Sequence, residues 1–189
     1  MKKKLIVLAA VMACIAIAAT GTLAYFSTAD TARNVITSGS ISIEVVEKMN
    51  QGDTQVDFPK EGITGVMPGT EVSKIVQVEN TGANEAWIRV KVESTMISVD
   101  NEPLPTDVMS YTVLDGWTQG EDGYYYYEEP VASGEKTTVL FEEVAFAPEM
   151  GNEYQNCTAN ILISAEAVQT ANNGETVGEA KGWPAEITE

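Results

Sequence analysis

The sequence predicts an all-β protein, an antiparallel β-sandwich preceded by a signal-peptide helix. Three features of its 189 residues predict this class. About seven short segments alternate apolar and polar residues, which is the period of strands with one buried face. Clusters of Gly, Pro, Asn, Asp and Ser separate these segments, as turns separate the strands of a sandwich. Beyond the N-terminal apolar run, no amphipathic helical pattern of normal length is present.

Residues 1–24 are typical of a secretory signal peptide. Three lysines follow the initiator methionine, and an uncharged apolar run then extends over about residues 5–19. The small residues Thr22 and Ala24 precede Tyr25 at the two positions that a signal peptidase reads. The apolar run is also shorter than the roughly 20 residues that span a bilayer comfortably. We therefore predict cleavage after Ala24.

Two alternatives to this cleavage are an uncleaved membrane anchor and a lipoprotein signal that ends at Cys14. The second fits less well, because Met12 is a poor residue for a lipoprotein motif and the chain stays apolar after the cysteine. Cleavage after Ala24 would leave residues 25–189, which is enough chain for one domain with its own core.

The mature chain is predicted to begin with an exposed N-terminal arm at 25–38, because these residues are mostly small and polar. The sandwich domain is predicted to cover 39–169. Alternating apolar residues over 41–45 mark its first strand. The polar, glycine-containing stretch 48–65 is predicted to be a loop.

The clearest pair of strands in the sequence lies within 72–93. Alternation predicts one strand at 72–78 and another at 88–92, and the turn residues of 80–84 separate them. We therefore expect these strands to form a hairpin-like unit. In the second strand, charged residues occupy Arg89 and every second position after it, which predicts a face in contact with water.

The second half of the chain contains the remaining predicted strands. In order, they are 111–114, 124–127, 137–146 and 157–168. The run Tyr124–Tyr127 must place rings on both faces of its strand, and we expect two rings in the core and two over an edge. Cys157 shares the parity of the inward residues of the last strand, so we expect it to be buried. Residues 170–189 are predicted to be a polar C-terminal tail.

The composition excludes several classes of function. The formal net charge is −17, and the acidic balance opposes binding to nucleic acid or to anionic lipid. Contact with a membrane is expected only through the signal peptide before cleavage. The chain contains no histidine, which is the commonest general base and metal ligand. After cleavage Cys157 would be the only cysteine, so no intramolecular disulfide is expected.

No pattern in the sequence predicts catalysis. There is no phosphate-cradling glycine loop, no Gly-x-Ser-x-Gly elbow and no zinc-protease helix motif. Adjacent acids occur at Glu121–Asp122, Glu128–Glu129 and Glu142–Glu143, but neighbours in a strand point to opposite faces. We predict that these are solvated charges and that the protein has no catalytic residue, metal site or cofactor. Calcium binding through loop carboxylates is the alternative.

Several blocks of the sequence carry a family resemblance. The N-terminal block is Gly21-Thr22-Leu23-Ala24-Tyr25-Phe26-Ser27, followed by Thr37-Ser38-Gly39-Ser40-Ile41-Ser42-Ile43. The internal blocks are Pro68-Gly69-Thr70, Val76-Gln77-Val78-Glu79-Asn80-Thr81-Gly82, Ile88-Arg89-Val90-Lys91-Val92 and Ile163-Ser164-Ala165-Glu166-Ala167-Val168-Gln169, with Trp183 later. In these blocks the chain resembles the exported TasA and camelysin (CalY) group. The signal peptides of that group are processed by a SipW-type signal peptidase.

The resemblance implies a jelly-roll-like sandwich that is secreted to the cell surface or biofilm matrix of a Gram-positive-type bacterium. It also implies self-association into fibres, in which an N-terminal strand released by cleavage completes the sheet of the next subunit. In this sequence the arm would run from Tyr25 to about Ser40. Its candidate assembly residues are Tyr25, Phe26, Val35 and Ile36. A signal peptidase of the SipW type would be the partner during export.

Two other functions stay open on the sequence alone. One is a monomeric cell-surface adhesin or ligand-binding module. The other is a metallopeptidase, because camelysin has been catalogued as one. The absence of histidine and of a zinc motif argues against the peptidase.

Overall fold

The computed structural model describes residues 27–31, 34–35, 41–59 and 67–184, and the predicted signal-peptide helix lies outside them. The described strands, in chain order, are β1 (Ser27–Thr31), β2 (Asn34–Val35), β3 (Ile43–Gln51), β4 (Thr54–Asp57), β5 (Glu71–Ser73), β6 (Ile75–Asn80), β7 (Ala86–Ile97), β8 (Pro103–Leu104), β9 (Met109–Ser110), β10 (Trp117–Gln119), β11 (Tyr124–Tyr127), β12 (Glu143–Phe146) and β13 (Thr158–Gln169). Single turns of 3-10 helix lie at Asn152–Tyr154 and Val177–Glu179. The predicted all-β class is confirmed.

The first layer of the fold is a seven-stranded antiparallel sheet with the order β10-β11-β7-β13-β1-β2. The short β8 pairs with the far end of β7. The centre of the sheet is the long pair β7 and β13, which stays in register from Ala86 opposite Gln169 to Ile97 opposite Thr158. Alternate residues of both strands are fully buried and form one wall of the core.

The second layer consists of two three-stranded antiparallel sheets, β5-β12-β9 and β4-β3-β6. The segment 135–142 joins them along the edge of β6. The amide of Val76 donates to the carbonyl of Phe141 at 3.1 Å, and the amide of Leu140 donates to the carbonyl of Val76 at 2.8 Å. Lys74, which separates β5 from β6, donates its amide to Glu142 at 2.8 Å. The two small sheets are therefore continuous through hydrogen bonds.

The core lies between the two layers. Ile88 and Ile163 contribute to it from the first layer, and Val76 and Phe141 contribute from the second; all four are fully buried. Burying a large aliphatic or aromatic side chain is worth about 1.5–3 kcal/mol. This shared cluster makes the two layers a sandwich, as the sequence predicts.

Glycine specifies two of the turns that connect the strands. The amide of Thr70 donates to the carbonyl of Met67 at 3.2 Å, and Gly69 at the third position has a φ of 72°. The amide of Gly123 donates to the carbonyl of Gly120 at 3.2 Å, which closes the β10–β11 hairpin. A positive φ is costly for residues with a Cβ, so glycine at these positions specifies the turns.

The predicted hairpin within 72–93 is wrong. Its two strands, β6 and β7, lie in different layers, because β6 pairs with β3 whereas β7 pairs with β11 and β13. The connection that looked like a hairpin turn instead crosses from one layer to the other. Alternation identifies the buried face of each strand but not its partner, and this explains the error.

Four further predictions need correction. The segment 111–114, predicted to be a strand, contains none of the described strands, and of the strand predicted at 137–146 only β12 is present. The stretch 48–65, predicted to be a loop, contains the end of β3 and all of β4, which form a polar hairpin. Cys157, predicted to be a buried strand residue, lies immediately before β13 and is only half-buried. The 3-10 turn at Asn152–Tyr154 holds the chain away from the sheet there, since the amide of Cys157 donates to the carbonyl of Tyr154.

Candidate assembly site

Part of the predicted N-terminal arm is a strand at the edge of the large sheet. Strand β1 runs antiparallel to β13, with five pairs from Ser27 opposite Val168 to Thr31 opposite Ser164. The arm then returns through β2, where Val35 pairs with Asp30. Within its own chain, the arm therefore forms a short hairpin whose first strand occupies the edge of β13.

The strand that receives the arm is firmly held on its other side. All twelve residues of β13 pair with β7, and its inward residues Ile163, Ala165 and Ala167 are fully buried. β3 of the second layer lies against both β13 and β1. The edge of β13 is thus a well-supported template, on which β1 adds five main-chain pairs, with the short β2 behind it. A sheet edge of this kind is a general template for pairing with an extended strand.

The structure places only some of the sequence-predicted site residues. Val35 lies in β2, two strands away from β13. The predicted cleavage residues Thr22, Ala24 and Tyr25, and the arm residues Phe26 and Ile36, lie outside the described residues.

A second cluster, on the outer face of the same sheet, surrounds Arg89 of β7. Its guanidinium lies 3.9 Å from the ring centroid of Tyr124, 4.7 Å from that of Trp183 and 5.9 Å from that of Tyr126. Its Nε donates to Glu166 Oε2 of β13 at 2.8 Å. Arg89 is only 8% exposed and Glu166 only 7%. The face that the sequence predicted to be in contact with water is therefore covered at Arg89, where the prediction is wrong, whereas Glu93 on the same face is exposed as predicted.

Two tyrosines and an aspartate complete the Arg89 cluster. Tyr124 donates its hydroxyl to Glu166 Oε1 at 3.2 Å, and Tyr126 donates its hydroxyl to Asp122 Oδ2 at 2.6 Å. Arg89 Nη1 donates to the same Asp122 oxygen at 3.2 Å. Asp122, expected to be one of a solvated acid pair, thus ties the β10–β11 turn to the centre of the sheet.

The C-terminal segment up to residue 184 supplies the cover over Arg89. Asn173, which is 2% exposed, anchors this segment: its amide nitrogen donates to the carbonyls of Gln169 and Lys181, and its oxygen accepts the amide of Lys181. Trp183 then packs edge-on against Tyr126, with centroids 5.9 Å apart. The stretch that the sequence predicted only to be polar is docked on the sheet by one buried amide side chain.

The Arg89 cluster lowers the pKa of Asp122 and raises the pKa of Tyr126. Burial disfavours the charged form of Asp122, but hydrogen bonds from Tyr126 and the Tyr124 amide, together with the charge of Arg89, outweigh burial and lower the pKa of the carboxyl. Burial raises the pKa of the Tyr126 phenol, and its hydrogen bond to Asp122 raises it further. The charged Asp122 and the neutral Tyr126 are therefore the forms that the fold favours.

We expect Asp122→Asn to destabilise the protein at neutral pH and to lose this effect in acid. The lowered pKa of Asp122 means that its contribution is present above the ordinary pKa near 4 and disappears as the pH falls through the lowered value. The side chain is 43% exposed, so the expected cost at pH 7 is about 0.5–1 kcal/mol. Urea unfolding at pH 7 and at about pH 2.5 would measure it. Glu121→Gln, one residue away, is the matched control, and an equal cost at both pH values would contradict the argument.

The described residues contain no group of three or more His, Cys, Asp or Glu side chains placed to hold a metal ion. No helix within them is both long and apolar enough to span a membrane. Comparisons of the chain with protein-family models, with curated proteins and with solved structures found no match in any of the three.

Sequence reasoning missed the Arg89 cluster for a physical reason. The alternation of Arg89 with Ile88 and Val90 predicts that the arginine side chain faces water. The residues that bury it come from β11, β13 and the distant Trp183, and no spacing rule connects these segments. The aromatic run Tyr124–Tyr127 is the one available signal, since tyrosine rings commonly pack on arginine.

Proposed function

We propose that this chain is a secreted structural protein of the cell surface or biofilm matrix, and that it assembles into fibres by donating its N-terminal arm. The observation that carries the proposal is β1. The arm that signal cleavage would release occupies, as a strand, the edge of β13. The signal-like residues 1–24 and the acidic, histidine-free composition support secretion and a non-enzymatic role.

The main-chain pairing of β1 with β13 is compatible with strand donation. Within one subunit, β1 and β13 are joined by main-chain pairing, and neither strand requires that the other come from the same chain. If β1 leaves, its place on β13 can be filled by the β1 of a neighbour with the same pairs. Exchange of an identical element costs little and generates an open chain of subunits when it proceeds head to tail. A fibre is the expected product.

The test compares two purified proteins, one that begins at Tyr25 and one that begins at Gly39, by electron microscopy and light scattering. Filaments from the first and particles of monomer size from the second are the expected result. Circular dichroism of the shorter protein reports whether it remains folded. A synthetic peptide of residues 25–38 should bind the shorter protein, because it restores β1, and should slow filament growth of the longer one.

Two results would overturn the proposal. Filaments from the protein that begins at Gly39 would show that the arm is not the connector. Monomers from both proteins would instead favour a monomeric adhesin or ligand-binding module. Casein hydrolysis that a chelator abolishes, in highly purified protein, would favour the peptidase.

A further inference from the structure

The arm covers only part of the edge of β13. Strand β13 has twelve residues, and β1 pairs with its C-terminal portion, Ser164 to Val168. Along Thr158–Ile163, β7 pairs on one side, but no described strand pairs on the other. Half of the template is therefore open in the described part of the fold.

Solvent exposure agrees with this open edge. Thr158, Ala159 and Asn160 are exposed. Leu162 is 42% exposed, although β13 is a central strand of the sheet. A row of main-chain donors and acceptors in an extended strand is a template for further pairing. It is continuous with the pairing that β1 already makes.

The β1–β13 register determines which arm residues would lie opposite the open edge of β13. β1 ends with Thr31 opposite Ser164, and each step forward along the arm moves one residue back along β13. A straight continuation of the arm would place Val35 opposite Asn160. In its own chain the arm turns back after Thr31 and pairs Val35 with Asp30. The carbonyl of Ser42 accepts the amide of Gly82 close to the Gln169 end of β13, so the roughly 18 Å that five residues can span would not connect Ser42 to a Thr37 opposite Thr158.

We propose that, in the fibre, the arm of a second copy opens its hairpin and pairs along the whole of β13, from Val168 to Thr158. This rests on the proposed function, because it needs a donor from another subunit. The extended arm gives up the two β1–β2 pairs and gains a partner at each residue of Thr158–Ile163.

This difference supplies a driving force that simple exchange lacks. A donated β1 alone would make the same five pairs in the fibre as in the monomer. An extended arm would make more pairs in the fibre, so assembly would lower the free energy rather than leave it unchanged. Six residues would fill the open edge, Ala32-Arg33-Asn34-Val35-Ile36-Thr37, and the last three are of the types that strands favour.

The test is a disulfide between Val35→Cys and Asn160→Cys, in a protein that begins at Tyr25 and carries Cys157→Ser. In the monomer fold, these positions are two strands and five residues apart, roughly 20 Å, which is far beyond the roughly 7 Å limit for a disulfide. In the extended pairing they are directly opposite. Mild oxidation of filaments should convert most of the protein into a ladder of covalent multimers on a non-reducing gel.

Three controls make the result specific. Each single cysteine variant reports chance contacts between copies. Val35→Cys with Thr95→Cys tests which strand the arm pairs with, because Thr95 is also exposed but lies opposite Asn160 on β7, one strand farther from the arm. Thr31→Cys with Ser164→Cys should cross-link the subunits of any fibre built by arm donation.

The outcomes separate the two proposals. A ladder from the Val35→Cys and Asn160→Cys pair supports the extended arm. Filaments that give a ladder only with Thr31→Cys and Ser164→Cys overturn the extension and leave arm donation standing. A disulfide within single chains, or equally efficient cross-linking of Val35→Cys with Thr95→Cys, also overturns it. Failure of the unsubstituted protein to form filaments overturns both proposals.

Discussion

Arg89→Met is expected to destabilise the monomer by about 3–5 kcal/mol. The substitution leaves the Glu166 carboxylate buried, with the Tyr124 hydroxyl at 3.2 Å but without its opposite charge. It also removes the cation that packs against Trp183. Removing one partner of a buried pair costs more than removing both, so the double variant Arg89→Met with Glu166→Gln should recover much of the loss. Guanidinium unfolding of the protein that begins at Tyr25, at low concentration, measures these differences.

Lys91→Met is the matched control for this prediction. Lys91 lies two residues along the same strand, and its ammonium is 3.8 Å from the half-exposed Glu93. Exposed pairs of this kind contribute about 0–1 kcal/mol, so its loss should be small. A cost for Arg89→Met no larger than that for Lys91→Met would show that the cluster does not hold the sheet together.

Phe141→Ala is expected to lower the free energy of unfolding by about 3–5 kcal/mol. Phe141 is large and fully buried, so the substitution removes buried apolar surface and leaves a cavity. Its ring lies 4.7 Å from that of Tyr111, and its main chain joins the two small sheets at Val76. The cavity would thus open in the middle of the second layer. Thermal and urea unfolding followed by circular dichroism give the change in stability.

Val99→Ala serves as the comparison, since Val99 is 66% exposed in a turn of the same protein. Its substitution should change stability by no more than about 0.5 kcal/mol. If Phe141→Ala cost as little as this variant, the shared core would not be what holds the two layers together.

Much of the fold was predictable because alternation reports burial directly. The segment 88–92 places Ile88 and Val90 on the core face, and the last long strand places Ile163 there, as predicted. The positive φ angles of Gly69 and Gly123 are of the kind that glycine adopts without strain. What alternation does not report is pairing. β6 and β7 are neighbours in sequence but belong to different layers, and only long-range contacts decide this.

The polar elements escaped prediction for a related reason. β4 has a single half-buried residue, Val56, so it carries almost no hydrophobic signal. Its pairing with β3 is specified by the hairpin connection at Gly52, whose φ of 62° suits glycine. The arm is similar: its composition predicts exposure, and its strand conformation depends on the open edge of β13, which is far away in the sequence.

The pairing of Ser27 with Val168 has a consequence for the timing of folding. The two strands come from opposite ends of the described chain, and contacts at such separation form slowly. A chain that emerges N-terminus first presents its arm long before its own β13 is available. During that interval the arm can meet a β13 that an earlier copy has already completed. If the subunits assemble as proposed, the choice between a closed monomer and a growing fibre depends on the rate of folding as well as on affinity, and slower folding favours the fibre.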